Sequence, residues 1–115
     1  MPLYSWNSID LEQLNPRVGR RAIFSENMTI ARLDLRKDAT VPEHHHVHEQ
    51  ISIVEKGALK FFIHGGEQIV RAGEILTIPP NVPHSVEVLE DSVVLDVFSP
   101  VRDDWKRGDD AYLRK

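Results

Sequence analysis

The 115-residue sequence contains no cysteine. This absence excludes disulfide scaffolds, thiolate nucleophiles, cysteine zinc sites and iron–sulfur clusters. No apolar run approaches the roughly 18 residues that a membrane-spanning helix requires, so no membrane partner is expected. Basic residues are not in excess either, because 18 acidic residues outnumber 14 basic ones and the formal net charge is -4. A nucleic-acid partner is therefore not expected, since it would require a basic patch.

The first ten residues also lack a basic region and an apolar region, so they do not form a secretory signal. We therefore expect a cytoplasmic protein. The chain is long enough for one domain with its own core, because a chain of this size buries roughly two thirds of the surface that its unfolded form exposes.

Short segments rich in β-branched residues, separated by glycine and proline, make up most of the sequence. Ala31, Leu33 and Leu35 alternate with charged residues, which is the period of a half-buried strand. Gly65-Gly66 separates two further segments and predicts a β-hairpin. The regular spacing predicts an all-β sandwich or barrel. We divide the single domain, 1–115, into an N-terminal arm (1–20), a barrel (21–99) and a charged C-terminal tail (100–115).

Four of the six histidines lie within five consecutive positions, at His44, His45, His46 and His48. In an extended segment, residues two apart share a face, so His44, His46, His48 and Gln50 would project together. Neutral imidazole is a common ligand for zinc, iron, nickel and copper, and this pattern favours a metal site. The alternative is a solvated loop that happens to be rich in histidine.

The spacing around this cluster resembles the two motifs of the cupin family, G-x5-H-x-H-x(3,4)-E-x6-G and G-x5-P-x-G-x2-H-x3-N. Asp38 and Asn81 stand where the motifs have glycine, and Val88 replaces the final asparagine. Asparagine tolerates the left-handed backbone that such turns use. The resemblance implies a jelly-roll β-barrel, also called a double-stranded β-helix, with a metal near one mouth. The matching positions are His44, His46, Gly57, Gly73, Pro79 and His84.

The family's carboxylate ligand falls at Gln50, so the resemblance implies one divalent metal ion (Zn, Ni, Mn or Fe) held by His44, His46, Gln50 and His84. A neutral glutamine ligand leaves more positive charge on the ion and makes it a stronger Lewis acid. A bulge that turns Glu49 inward is the structural alternative. By parity His48 faces the cavity, either beside the ligands or as an ordinary residue at the rim. His45 and His64 are expected to be exposed.

A second cluster lies at Asp96, Phe98 and Arg102. An acid inside an apolar strand needs a partner or a function, because burying an unpaired charge is costly. One interpretation is a structural Asp96–Arg102 ion pair with Phe98 in the core. The other is a functional site.

The segment from Leu95 to Asp104, together with the histidine motif, resembles the small KdgF-type cupins of pectin and alginate breakdown. That resemblance implies ketonisation of 4,5-unsaturated monouronates to linear keto sugar acids, so the partner would be a small-molecule sugar acid. It also implies that Asp96, Phe98 and Arg102 are the catalytic residues. Asp96 would move a proton, Phe98 would form an apolar wall, and Arg102 would bind the substrate carboxylate.

Other functions stay open at this stage. A metal-dependent oxygenase is one alternative, although Gln50 departs from the two-histidine, one-carboxylate arrangement usual for non-haem iron. A non-catalytic sugar-binding module, or a cupin with another role, is a further alternative. The resemblance also implies a homodimer formed by exchange of N-terminal strands. The apolar residues suited to that packing are Leu3, Tyr4, Trp6 and Ile9.

Overall fold

The computed structural model describes all 115 residues and consists mostly of β-strands. A one-turn helix, α1 (Asp103–Lys106), follows the last strand, and short 3-10 turns lie at Trp6–Ser8 and Ala111–Leu113. This composition confirms the predicted all-β class. None of the helices has the length and apolar character needed to cross a bilayer. The strands are β1 (Glu12–Asn15), β2 (Val18–Phe24), β3 (Thr29–Leu35), β4 (Thr40–His44), β5 (Glu49–Ile63), β6 (Gly66–Arg71), β7 (Ile75–Ile78) and β8 (His84–Ser99).

Two long strands, β5 and β8, are shared by both layers of the barrel. The first half of β5 pairs with β7 and with the second half of β8, which also pairs with β3. The second half of β5 pairs with β6 and with the first half of β8, which also pairs with β4. Strands β1 and β2 extend the first layer beyond β3. This arrangement of antiparallel strands is the predicted jelly roll.

Each long strand bends from one layer into the other, β5 near Gly57 and β8 near Ser92. Gly57 has a φ of +89°, and a Cβ there would overlap Ser92 Oγ and lie 2.5 Å from the Asp91 carbonyl oxygen. Glycine is required here because the strands approach too closely for a side chain. Strand β8 continues through this bend as one strand, with Glu90 and Asp91 inside it.

Alternation along the strands places the core between the layers. Strand β3 alternates strictly between buried and partly buried positions, as predicted from Ala31, Leu33 and Leu35. The β5–β6 hairpin also forms as predicted, with His64 and Gly65 both at positive φ. Two consecutive positive φ values characterise the two-residue turns that match strand twist.

Both chain ends pack against the barrel. Strand β1 lies within the predicted arm and β2 crosses its boundary at residue 20. At the other end, Trp105 and Leu113 are buried, and Asn15 Nδ2 donates to the Leu113 carbonyl oxygen at 3.0 Å. The tail therefore covers one end of the barrel. Leu3 and Tyr4 are exposed, and the homodimer stays a prediction.

Candidate metal centre and adjoining cavity

Three histidines from two parts of the chain meet at one mouth of the barrel. His44 ends β4 and His84 begins β8, and the two are paired residues in the β4–β8 ladder. His46 lies in the turn between β4 and β5. One ring nitrogen from each histidine lies within 4.8 Å of those of the others. The separation is small enough for one ion to contact all three.

In all three histidines, Nδ1 lies within hydrogen-bond distance of a backbone carbonyl oxygen. His44 Nδ1 lies 2.8 Å from the Pro42 carbonyl oxygen, and His84 Nδ1 lies 2.8 Å from that of Val82. His46 Nδ1 lies 3.0 Å from its carbonyl neighbour, His48. A carbonyl oxygen can only accept, so each Nδ1 carries the proton and each Nε2 is left with a lone pair. This second contact is how metal-binding histidines are usually oriented.

Two Nε2 atoms lack a suitable partner within the protein. His84 Nε2 is buried and makes no hydrogen bond. His46 Nε2 lies 3.1 Å from Gln50 Oε1, which is also an acceptor. With the proton of His46 on Nδ1, the Nε2 lone pair faces a lone pair of the Gln50 oxygen. A cation between these atoms removes both problems, so the four side chains fit a divalent ion.

Burial keeps these imidazoles neutral. It lowers the pKa of His44 and of His46 from 6.5 to about 4, and it also lowers the pKa of His84. The positive charge of Arg102 and the neighbouring histidines act in the same direction on His46. Neutral histidine is the form that binds metal, so the cluster needs no deprotonation near neutral pH.

The predicted alternation of inward and outward side chains is observed from His45 to Gln50. His46, His48 and Gln50 are buried, whereas His45 and His64 are exposed. Glu49 is exposed as well, so the alternative in which a bulge turns its carboxylate inward is wrong. His48 Nε2 lies 4.0 Å from Asp104 Oδ1, on the tail side of the cluster.

Asp96 is buried and connected to the cluster through hydrogen bonds. Ser52 Oγ donates to Asp96 Oδ1 at 2.6 Å, and Gln50 Nε2 donates to Ser52 Oγ at 2.9 Å. Burial raises the pKa of Asp96 from 3.8 to about 6, although hydrogen bonding from Ser52 and Gln50 and the positive charge of Arg102 oppose the rise. A carboxyl group with a pKa near neutrality can both give and take a proton.

Arg102 does not pair with Asp96, so the interpretation of a structural Asp96–Arg102 ion pair is wrong. Its Nε and Nη2 donate to the two carboxylate oxygens of Asp104, at 3.0 and 2.7 Å. Nη2 also donates to Tyr112 Oη at 2.9 Å. The guanidinium carbon lies 4.7 Å from the Phe98 ring centroid and 4.4 Å from that of Trp105. These contacts hold the side chain in place and leave Nη1 without a protein partner.

One cavity of about 60 Å³ contacts both clusters, with an otherwise largely apolar lining. Of the predicted site residues, only His46 does not line it; those that do are His44, Gln50, His84, Asp96, Phe98 and Arg102. The tail adds Trp105, Tyr112 and Leu113.

Four residues at this site were not identified from the sequence alone. Ser52 shares a face with Gln50, so parity could have identified it. Asp104, Trp105 and Tyr112 lie in the tail, where no periodic pattern indicates direction.

The sequence pattern of the cupin domain matches residues 31–98. The chain therefore belongs to the cupin family. Cupins commonly bind a divalent metal ion, and the three-histidine group is consistent with that property. No curated protein matches this chain.

Solved structures with the same fold include KdgF from Halomonas sp., at 26% identity with a TM-score of 0.84, covering 90% of this chain and 99% of that one. An RmlC-like cupin from Shewanella frigidimarina is 24% identical with a TM-score of 0.85, covering 91% and 96%. An oxalate decarboxylase variant from Bacillus subtilis is 22% identical with a TM-score of 0.75, covering 84% of this chain and 29% of that one. At these lower identities, the last two likenesses show the fold alone.

Proposed function

We propose that this cupin uses a divalent metal to convert 4,5-unsaturated monouronates into linear keto sugar acids. The observation that carries the proposal is the single cavity contacted by the histidine–glutamine cluster, Asp96 and Arg102. The likeness to KdgF from Halomonas sp. supports the same class of small cupin.

The substrate class offers a carboxylate and several hydroxyl oxygens. Arg102 would bind the carboxylate through Nη1, because Nε and Nη2 are already used by Asp104 and Tyr112. His44, His46, Gln50 and His84 would hold the metal ion. When bound, the ion would polarise a sugar oxygen and stabilise negative charge that develops there.

The reaction is an isomerisation in which one C–O bond breaks and protons are relocated, the proton of the C1 hydroxyl passing to O5 on ring opening, so no oxidant or reductant is needed. Ring opening breaks the C1–O5 bond, so that C1 becomes an aldehyde and C5 carries an enol. Ketonisation then moves the enol proton to C4 and leaves a ketone at C5. Asp96 is suited to carry this proton because burial raises its pKa to about 6. Phe98 would contact the sugar face.

The cavity, at about 60 Å³, is smaller than the roughly 300 Å³ at the low end of small-molecule pockets. A monouronate therefore requires the cavity to widen. The wall formed by Trp105, Tyr112 and Leu113 belongs to the tail, which is held to the barrel by side-chain contacts such as the Arg20–Asp110 pair and not by strand pairing. We propose that this wall moves outward when substrate enters.

The decisive experiment follows the ultraviolet absorbance of the conjugated double bond in 4,5-unsaturated galacturonate. We expect faster loss of absorbance with the metal-loaded protein than with buffer or with protein treated with chelator, and no oxygen uptake. His46→Gln should abolish the acceleration, whereas the exposed neighbour His45→Gln is a matched control and should retain it.

The same decay rate with and without protein, for several unsaturated uronates, would reject the proposal. Oxygen uptake with another substrate would favour an oxygenase. Tight sugar binding without turnover would favour a binding module.

A further inference from the structure

We propose that Ser52 is a positioning residue that sets the orientation of the Gln50 amide, and thereby directs its oxygen toward the metal cluster. The proposal rests on the metal site of the proposed function, but it does not depend on the identity of the substrate. Ser52 itself is fully buried and belongs to neither predicted cluster.

The strand register places Ser52 between Gln50 and Asp96. Ser52 follows Gln50 by two residues on β5, so both side chains lie on the inner face. Across the β5–β8 ladder, Ser52 is the paired residue of Asp96. Its hydroxyl is consequently within hydrogen-bond distance of both, at 2.9 Å from Gln50 Nε2 and 2.6 Å from Asp96 Oδ1.

The number of available hydrogens fixes the direction of the Gln50–Ser52 and Ser52–Asp96 hydrogen bonds. The Ser52 hydroxyl has one hydrogen, and the ionised Asp96 carboxylate can only accept, so in that state the hydrogen goes to Asp96. Ser52 Oγ then has only lone pairs to offer Gln50, and the group facing it must be the Gln50 NH2. The opposite end of the same amide, Oε1, is thereby turned toward His46 Nε2, 3.1 Å away.

This requirement also accounts for glutamine at position 50. A glutamate has no N–H, so one of its oxygens would face the lone pairs of Ser52 Oγ. It would also add a second carboxylate beside buried Asp96, and like charges in a buried site are costly. Glutamine is the residue that gives an oxygen to the cluster and a donor to Ser52 at once.

The test is cobalt binding by the metal-free full-length protein, followed by calorimetric titration and by the visible absorption of the bound ion. Ser52→Ala removes the nearest partner of Gln50 Nε2, at 2.9 Å. We expect roughly 10-fold or greater loss of Co²⁺ affinity, the lower end of what loss of such an outer contact produces, and an altered visible spectrum. Ser52→Thr restores a hydroxyl and should recover both properties.

Ser92→Ala is the matched control, because Ser92 is also a buried serine on a long strand but bonds backbone atoms of Ala58 and Glu90. It should leave Co²⁺ affinity and the spectrum unchanged, even if the melting temperature falls. Circular dichroism on each variant identifies any that do not fold, and the comparison is made on those that do.

Unchanged cobalt affinity and spectrum in Ser52→Ala, or loss of affinity that is equal in Ser92→Ala, would overturn the proposal. So would wild-type protein that takes up no cobalt. If Ser52→Ala behaves as expected and no uronate is converted, the proposed reaction fails while the role of Ser52 stands.

Discussion

The Tyr112 ring stacks on the His44 imidazole, with ring centroids 4.5 Å apart and planes inclined by 29°. The Tyr112 hydroxyl accepts a hydrogen bond from Arg102 at 2.9 Å. One tail residue thus contacts both the histidine cluster and the arginine expected to bind substrate.

These two contacts of Tyr112 can be separated by substitution. Tyr112→Phe keeps the stacked ring and removes the hydroxyl, which accepts from the charged Arg102 and, at 3.4 Å, from Trp105 Nε1, and should cost about 1.5 kcal/mol of stability, the low end for a hydrogen bond with a charged group. Tyr112→Ala also removes the ring and should cost about 2 kcal/mol or more, since an aromatic side chain in partial contact with the core is lost. Urea denaturation of the metal-free protein measures both. Equal losses for the two variants would show that the stack contributes nothing.

The tail is anchored by a buried ion pair. Arg20 Nη2 donates to Asp110 Oδ2 at 2.8 Å, and Asp110 is fully buried. Asp110→Ala should destabilise the protein by about 2–3 kcal/mol, below the full cost of an unpaired buried charge, because Arg20 loses its buried partner but keeps its contacts with Glu12 at 3.3 and 3.4 Å. Asp109→Ala is the control, since its pair with Arg107 is exposed and should contribute less than about 1 kcal/mol. Similar losses for both variants, measured by denaturation, would contradict this prediction.

Asp96 should reduce stability at neutral pH while it supports activity. Its folded pKa of about 6 lies above the ordinary 3.8, so the folded state binds more protons than the unfolded state between these values. Stability therefore falls as pH rises from about 4 to 6, by about 3 kcal/mol in total. Asp96→Asn removes this cost, and we expect the metal-free variant to be more stable than wild type at pH 8 but not at pH 4.

The same Asp96→Asn variant should lose about two to four orders of magnitude in turnover while it keeps its metal. Asp10→Asn, at an exposed position, is the control and should alter neither property. A variant that turns over uronate at the wild-type rate would remove Asp96 from the mechanism.

Metal affinity should resist mild acid. Because burial lowers the pKa of His44 and His46 to about 4, protons compete with the metal only well below the ordinary histidine pKa of 6.5. We expect the affinity for Zn²⁺, measured by calorimetry, to change less than about tenfold between pH 7.5 and 5.5. A steep fall that begins near pH 6.5 would show that these histidines titrate normally.

The same lowered pKa values affect folding stability. The stability that the neutral forms of His44 and His46 contribute is present above pH 6.5 and is lost as pH falls toward 4.

Parity and turn chemistry predicted much of this architecture. Period two identified the buried faces around Gln50 and Asp96, because it needs no knowledge of the partner strand. Asp38 and Asn81, which replace motif glycines, both adopt positive φ, so the backbone of those turns is retained without glycine.

Such sequence patterns could not predict the contacts of Arg102. Its partner Asp104 is only two residues away, but the chain leaves the strand at Ser99 and side-chain direction no longer follows a period. Tyr112 reaches His44 only because the tail folds back over the barrel, and that path depends on long-range contacts such as Arg20 with Asp110.

The pairing of His44 with His84 across the β4–β8 ladder has a consequence for the order of folding. These residues are 40 positions apart in the chain, so they come together only after a long loop has closed, which is a slow step in β-rich proteins. A metal ion that needs both residues has little affinity for earlier, open forms of the chain. Metal binding would then stabilise only the folded barrel, and this stabilisation would grow with the metal concentration. Cells with little free metal would therefore hold a larger unfolded fraction of this protein.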